Sequence, residues 1–169
     1  MMAAPHMMAG AAIGKVVRRP WLAIALAFAS HFVLDIVPHL DSHSMFGAPS
    51  GGPTSAEVAS AIVDTSIGIA LVLLLARRQR ARGRILWAAF AAIVLDLVDE
   101  VPPWGPWFQA WPGTAWLSRF HHGIQHNVAV AEWPLGFGTQ LLVIALAVWI
   151  LWPRQRPQAE PIPSPLGAP

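Results

Sequence analysis

The sequence contains no cysteine and no tyrosine, and only 12% of its 169 residues are charged. Without cysteine there can be no disulfide framework and no thiolate metal site. Soluble domains carry about 25% charged residues. Half that share, at 55% hydrophobic residues, excludes an ordinary water-solvated surface over most of the chain. Period-two alternation is also missing, and the apolar runs are rich in Ala and Leu, which argues against strands. A sequence pI near 10.4 suggests nucleic acid only until the basic residues are located. They sit in short clusters beside apolar runs, where membrane topology places them, so no nucleic-acid partner is expected.

Four long apolar segments are present: Trp21 to Leu40, Ala56 to Ala76, Ile85 to Val101 and Pro134 to Trp152. Each approaches the length needed to cross a hydrocarbon core of about 30 Å as a helix. A shorter apolar stretch, Pro5 to Val17, reads as a half-membrane helix or a short fifth span. The expectation is an all-α polytopic bundle of about four transmembrane helices, with a short N-terminal helix and an outer interfacial segment. Residues 1–152 would form the bundle, and residues 153–169 a disordered, proline-rich cytoplasmic tail. Arg18, Arg19 and the following apolar run, with Ala27-Phe28-Ala29, imitate a signal peptide. The run continues unbroken to Val37, so it is read as a span.

Orientation follows from the basic residues. Lys15, Arg18 and Arg19, the arginines between 77 and 84, and Arg154 and Arg156 account for ten of the eleven, all on one side of a four-span arrangement. The positive-inside rule places that side, and the C-terminus, in the cytoplasm of a cell whose inner membrane holds the protein. Trp104, Trp107, Trp111, Trp116 and Trp133 then mark the outer interface, and Trp21, Trp87, Trp149 and Trp152 the inner one. Between the outer tryptophans a short helix is expected near Trp116 to Val128, and the Gly/Pro/Ser-rich loop Ser44 to Ser55 reads as mobile.

The apolar segments nevertheless carry ionisable groups. A charge in a bilayer core costs at least ~2.5 kcal/mol. His31, Asp35 and His39 are spaced i, i+4, i+8, which stacks all three along one helix stripe. The second segment holds Asp64, and the third Asp96, Asp99 and Glu100. His121, His122 and His126 lie in the outer segment, and His6 opens the N-terminal stretch. Counted from the basic ends at ~1.5 Å per residue, His6, His31, Asp35, Asp64 and Asp96 all fall about 16–22 Å up. Four segments thus bring imidazole or carboxylate to one level, which points to a single interior polar site opening outward. Imidazole plus carboxylate without sulfur suits a divalent metal, zinc first, with manganese or iron as alternatives. Such an ion lowers the pKa of a bound water and supports hydrolysis. Helix-fixing hydrogen bonds without metal, or a proton or ion path, account for the same residues as a non-catalytic scaffold or ion-handling protein.

Pro5-His6 with Gly10 and Gly14, Ser30-His31-Phe32-Val33-Leu34-Asp35, Pro38-His39-Leu40-Asp41 and His121-His122-Gly123-Ile124-Gln125-His126 form a set that resembles a group of small prokaryotic inner-membrane proteins. These look related to the metal-dependent hydrolases of the LexA-binding inner-membrane-associated type. That family combines an N-terminal His, a Pro-Asp-x-Asp-His element and a His-x-Gly-x-x-His element. The second element is altered here, reading Pro38-His39-Leu40-Asp41-Ser42-His43, and Asp96 with Asp99 offers another counterpart. The resemblance implies a membrane hydrolase acting on a lipid or phosphoester beside the outer leaflet. The residues and the resemblance together nominate His31, Asp35, Asp96, His121 and His126 as ligands, with His6, Asp64 and His39 in reserve.

Overall fold

The computed structural model describes residues 1–47 and 53–153. The proposed cytoplasmic tail, with Arg154 and Arg156, and the middle of the loop at Ser44 to Ser55 lie outside the described residues. The described chain is helical throughout: α1 (Ala3–Val16), α2 (Pro20–Ile36), α3 (Ser42–Phe46), α4 (Ser55–Ala76), α5 (Arg82–Ala91), α6 (Val94–Asp99), α7 (Trp104–Ala110), α8 (Ala115–Ile124) and α9 (Trp133–Leu151), with a 3-10 turn at Val130–Glu132. No strand is present among the described residues, only an isolated parallel bridge between His39 and Asn127.

The short N-terminal helix turns out to be the centre of the bundle. α1 packs against α2, α4, α5 and α9. Its composition allows this, because Ala4, Gly10, Ala11, Ala12 and Gly14 present almost no side-chain bulk. Gly10 and Gly14 form a small-xxx-small stripe, the pattern that lets two helix backbones approach closely. A Cβ on Gly10 would come within 2.6 Å of the Ala88 carbonyl oxygen, and one on Gly14 within 2.8 Å of Ile85 Cα. His6 lies one turn above Gly10 on the same stripe, so the contact that seats α1 on α5 also fixes His6.

Both ends of α1 are satisfied by other elements, as buried helix ends require. At the start, Asp64 of α4 accepts from the Ala4 amide at 3.0 Å and Gln140 of α9 from the Met2 amide at 3.3 Å. At the end, the Arg84 guanidinium donates to the carbonyls of Gly14 and Arg18 at 2.6 and 2.9 Å. Anion at the first turn and cation at the last both oppose the helix dipole.

Two of the four apolar segments are single helices long and apolar enough to cross a membrane, Ser55–Ala76 and Val130–Leu151 when the 3-10 turn is counted with α9. Only 17% and 22% of their most apolar windows are buried inside the protein. Thr54 starts α4 with a capping box, its hydroxyl accepting from the Glu57 amide at 3.1 Å. The first segment forms the 17-residue α2, which stops at Ile36 because Pro38 cannot continue a helix and pushes Val37 into extended backbone. The third segment is not one helix. It breaks at Ala92-Ile93 into α5 and the six-residue α6.

Candidate metal centre

His31 and Asp35 lie one turn apart on the inner face of α2, and both are fully buried. α8 delivers His121 from the opposite side, also fully buried. The three side chains converge. His31 Nε2 lies 3.0 Å from His121 Nε2, and Asp35 Oδ2 lies 3.2 and 3.3 Å from those two nitrogens. Asp96 of α6 closes the group from its more open side, with Oδ1 at 3.4 and 3.5 Å from the same nitrogens. His6 stacks on the His31 ring at a centroid distance of 4.3 Å, and its Nε2 is 3.1 Å from Asp35 Oδ1. The Met1 amino group lies 2.6 Å from the same Asp35 oxygen.

The triangle of His31 Nε2, His121 Nε2 and Asp35 Oδ2 has a chemical meaning. Ligands held about 2.0–2.1 Å from a tetrahedral ion stand about 3.3 Å apart, the tetrahedron's edge. The observed edges of 3.0–3.3 Å match that spacing. The tautomers agree. His31 Nδ1 is 2.8 Å from the Ala92 carbonyl oxygen, which can only accept, so Nδ1 carries the proton. His121 Nδ1 is 3.0 Å from Asp99 Oδ2 and donates likewise. In the neutral rings both Nε2 atoms then turn lone pairs toward each other and toward a carboxylate oxygen.

Of these three acceptors His121 Nε2 can receive the Gln125 amide; the other two, left buried and unmet, would cost ~1–3 kcal/mol each. That is a large part of the ~5–15 kcal/mol net stability of a domain. A proton or a metal ion placed among these atoms would satisfy all of them. Asp35 Oδ2 has no well-aligned hydrogen-bond donor, despite two imidazoles within 3.3 Å. Burial works against charge on His121, but the carboxylates of Asp35, Asp99 and Asp96 outweigh it and push its imidazole up to about 9. Among the described residues, the cationic partners of Asp35, Asp96, Asp99 and Glu100 are imidazoles and the Met1 amino group. The pocket is therefore acid-rich and set to attract positive charge.

The helix break explains part of this geometry. In an unbroken helix the Ala92 carbonyl would accept the Asp96 amide; here it receives His31 Nδ1 instead. Asp99 is the second support. It is fully buried, accepts from the Ser118 hydroxyl at 2.8 Å, and orients His121 in the manner of a carboxylate–histidine–metal relay. Outside it, His122 Nε2 stands 3.4 Å from Asp99 and 3.5 Å from Glu100, at a half-exposed rim. The Gln125 amide lies 3.3 Å from His121 Nε2. Three groups of these side chains could hold a metal ion: His31 with Asp35 and His121, His6 with His31 and Asp96, and Asp99 with Glu100, His121 and His122.

Of the eight nominated residues, the structure brings five together: His6, His31, Asp35, Asp96 and His121. Three stand apart from these groups. His126 lies two residues beyond the end of α8, and its side chain is exposed. Its backbone instead pairs with Asp35 and His39, at 2.8 and 3.1 Å. His39 is buried but off the His31–Asp35 stripe, because Pro38 ends α2 before it; its Nδ1 is 2.7 Å from the Val37 carbonyl oxygen. Asp64 caps α1 on the far side of that helix. Asp99 was named beside Asp96 but not nominated as a ligand, and Ser118 and the Ala92 carbonyl were not anticipated as parts of the site. For Asp99 the available signal was its i+3 spacing from Asp96.

No protein-family model, no curated protein and no solved structure matches the chain.

Proposed function

We propose that the chain is a polytopic membrane protein of about four spans, and that its interior His/Asp cluster binds a divalent cation, zinc first, to hydrolyse a lipid or phosphoester substrate reached from the outer face. The observation that carries this reading is the convergence of two imidazole Nε2 atoms and one carboxylate oxygen at 3.0–3.3 Å, with both Nδ1 atoms already held by acceptors. The membrane half rests on the two long apolar helices and on the tryptophans. All nine are exposed, from 48% to 65%. Rings of that size are normally well buried in water-soluble proteins, whereas membrane interfaces favour them. The basic clusters are the support for a cytoplasmic Arg77–Arg84 connection and C-terminus.

A bound divalent ion would supply Lewis acidity and a water of lowered pKa. His31, Asp35 and His121 are the buried anchors that would fix it. Asp96 is a quarter exposed, so its carboxylate faces the solvent side, where a proton must be taken up or passed on. Asp99 and Ser118 hold His121 in the ligating tautomer. The second reading is a non-catalytic bundle in which a proton on His121 bridges to Asp35; the upward shift of that imidazole favours it.

Elemental analysis of the detergent-purified protein separates the two. The metal reading expects about one equivalent of zinc, manganese or iron, lost in His31→Ala and Asp96→Ala while helical circular dichroism is retained. Metal-free protein from metal-supplemented growth, unchanged in thermal stability by a chelator, would overturn it.

A further inference from the structure

An apolar groove of about 610 Å³ runs between the two membrane-length helices. Its walls are Ala56, Ala59 and Val63 of α4 and Phe137, Leu141 and Ile144 of α9. Its inner end is Met2, Ala4 and Pro5, the residues between Met1 and His6, both of which touch Asp35. The volume lies in the range of ligand sites, about 300–1,000 Å³.

Only three polar side chains line the groove, and each is engaged within the protein. Asp64 accepts from the Ala4 amide, Gln140 from the Met2 amide while donating to the Leu40 carbonyl, and Ser60 bonds to Ser42. What remains to a visitor is hydrocarbon. A peptide helix is too thick. At about 10 Å diameter it would exhaust the volume within about 8 Å of its length. The flanking surfaces, including Ile62, Leu73, Leu142 and Leu146, are also exposed and apolar, so in a membrane the medium at the groove mouth is lipid tails.

We infer that this groove seats one acyl chain of a membrane lipid. The inference rests on the membrane reading above. The slot is open to the bilayer between α4 and α9, so a lipid enters sideways without leaving the membrane. α1 divides the slot from the cluster by a single helical turn.

The test uses the full chain, delipidated in detergent and incubated with dioleoyl phosphatidylglycerol, read by native mass spectrometry with metal content measured on the same samples. Wild type is expected to retain one lipid. Ala59→Trp, which fills the slot from an exposed position, should retain at least tenfold less. Val58→Trp, exposed on the face of α4 opposite the groove, should behave as wild type. Equal retention by wild type and Ala59→Trp, no retained lipid, or a dimer mass sensitive to Ala59→Trp in place of the lipid would overturn the inference. Retained lipid without metal would remove the metal centre and leave the acyl slot standing.

Discussion

The two imidazoles that meet at 3.0 Å cannot hydrogen-bond to each other as neutral rings, because both Nδ1 protons are committed elsewhere. The Asp99 carboxylate enforces that commitment for His121. Asp99→Asn keeps the shape but loses the charge behind the donor. Metal affinity, read by competition with a chromophoric chelator, should fall about 10–100-fold, as for other carboxylates behind a ligating histidine. An unchanged affinity would remove Asp99 from the centre. Residue by residue, the site was half legible. His31 and Asp35 announced themselves as an i, i+4 pair inside an apolar run. His126 was a false signal, because a His-x-Gly-x-x-His spacing says nothing of where the helix ends. α8 stops at Ile124, leaving His126 exposed. Asp99 was read only as a companion of Asp96, and folding places it behind His121.

α1 shows how little bulk a central helix needs. Gly10 and Gly14 bring its backbone against α5, and His6 rides on that contact. Gly10→Val would drive a branched side chain against the Ala88 carbonyl and Ala92 Cβ. A loss of about 1–3 kcal/mol is expected from overpacking. It should appear as a lowered Tm together with weaker metal binding, since α5 leads directly to the Ala92 carbonyl that orients His31. A normal Tm would contradict the tight packing of this stripe. At this scale the apolar runs gave α4 and α9 to within about a residue, since lipid-length runs leave little freedom. They failed on the third segment. The break at Ala92-Ile93 contains neither Pro nor Gly, and what the fold gains there is a carbonyl free for His31 Nδ1. The central place of α1 was also hidden, because fourteen residues with little side-chain bulk resemble a peripheral helix until their four neighbours are known.

For the whole molecule, the helical class was legible from composition, whereas the burial of charge depended on the packing of distant segments. The proposed topology can be read directly, because the natural chain offers no thiol to interfere. Arg80→Cys lies on an exposed turn of the basic connection, and Ala110→Cys on the exposed end of α7. In intact cells a membrane-impermeant maleimide should label Ala110→Cys and spare Arg80→Cys; the opposite pattern would invert the protein.

The pairing of His31 with His121 also has a consequence for biosynthesis. The two partners stand 90 positions apart. At ~5–20 residues per second, the ribosome needs roughly 5–18 s between making the first and the second. During that interval Asp35 and His6 exist without the α8 imidazole that completes their surroundings. The nascent protein must hold an acid in an unfinished bundle, so an ion bound by the proposed centre would be captured at the end of assembly rather than along the way.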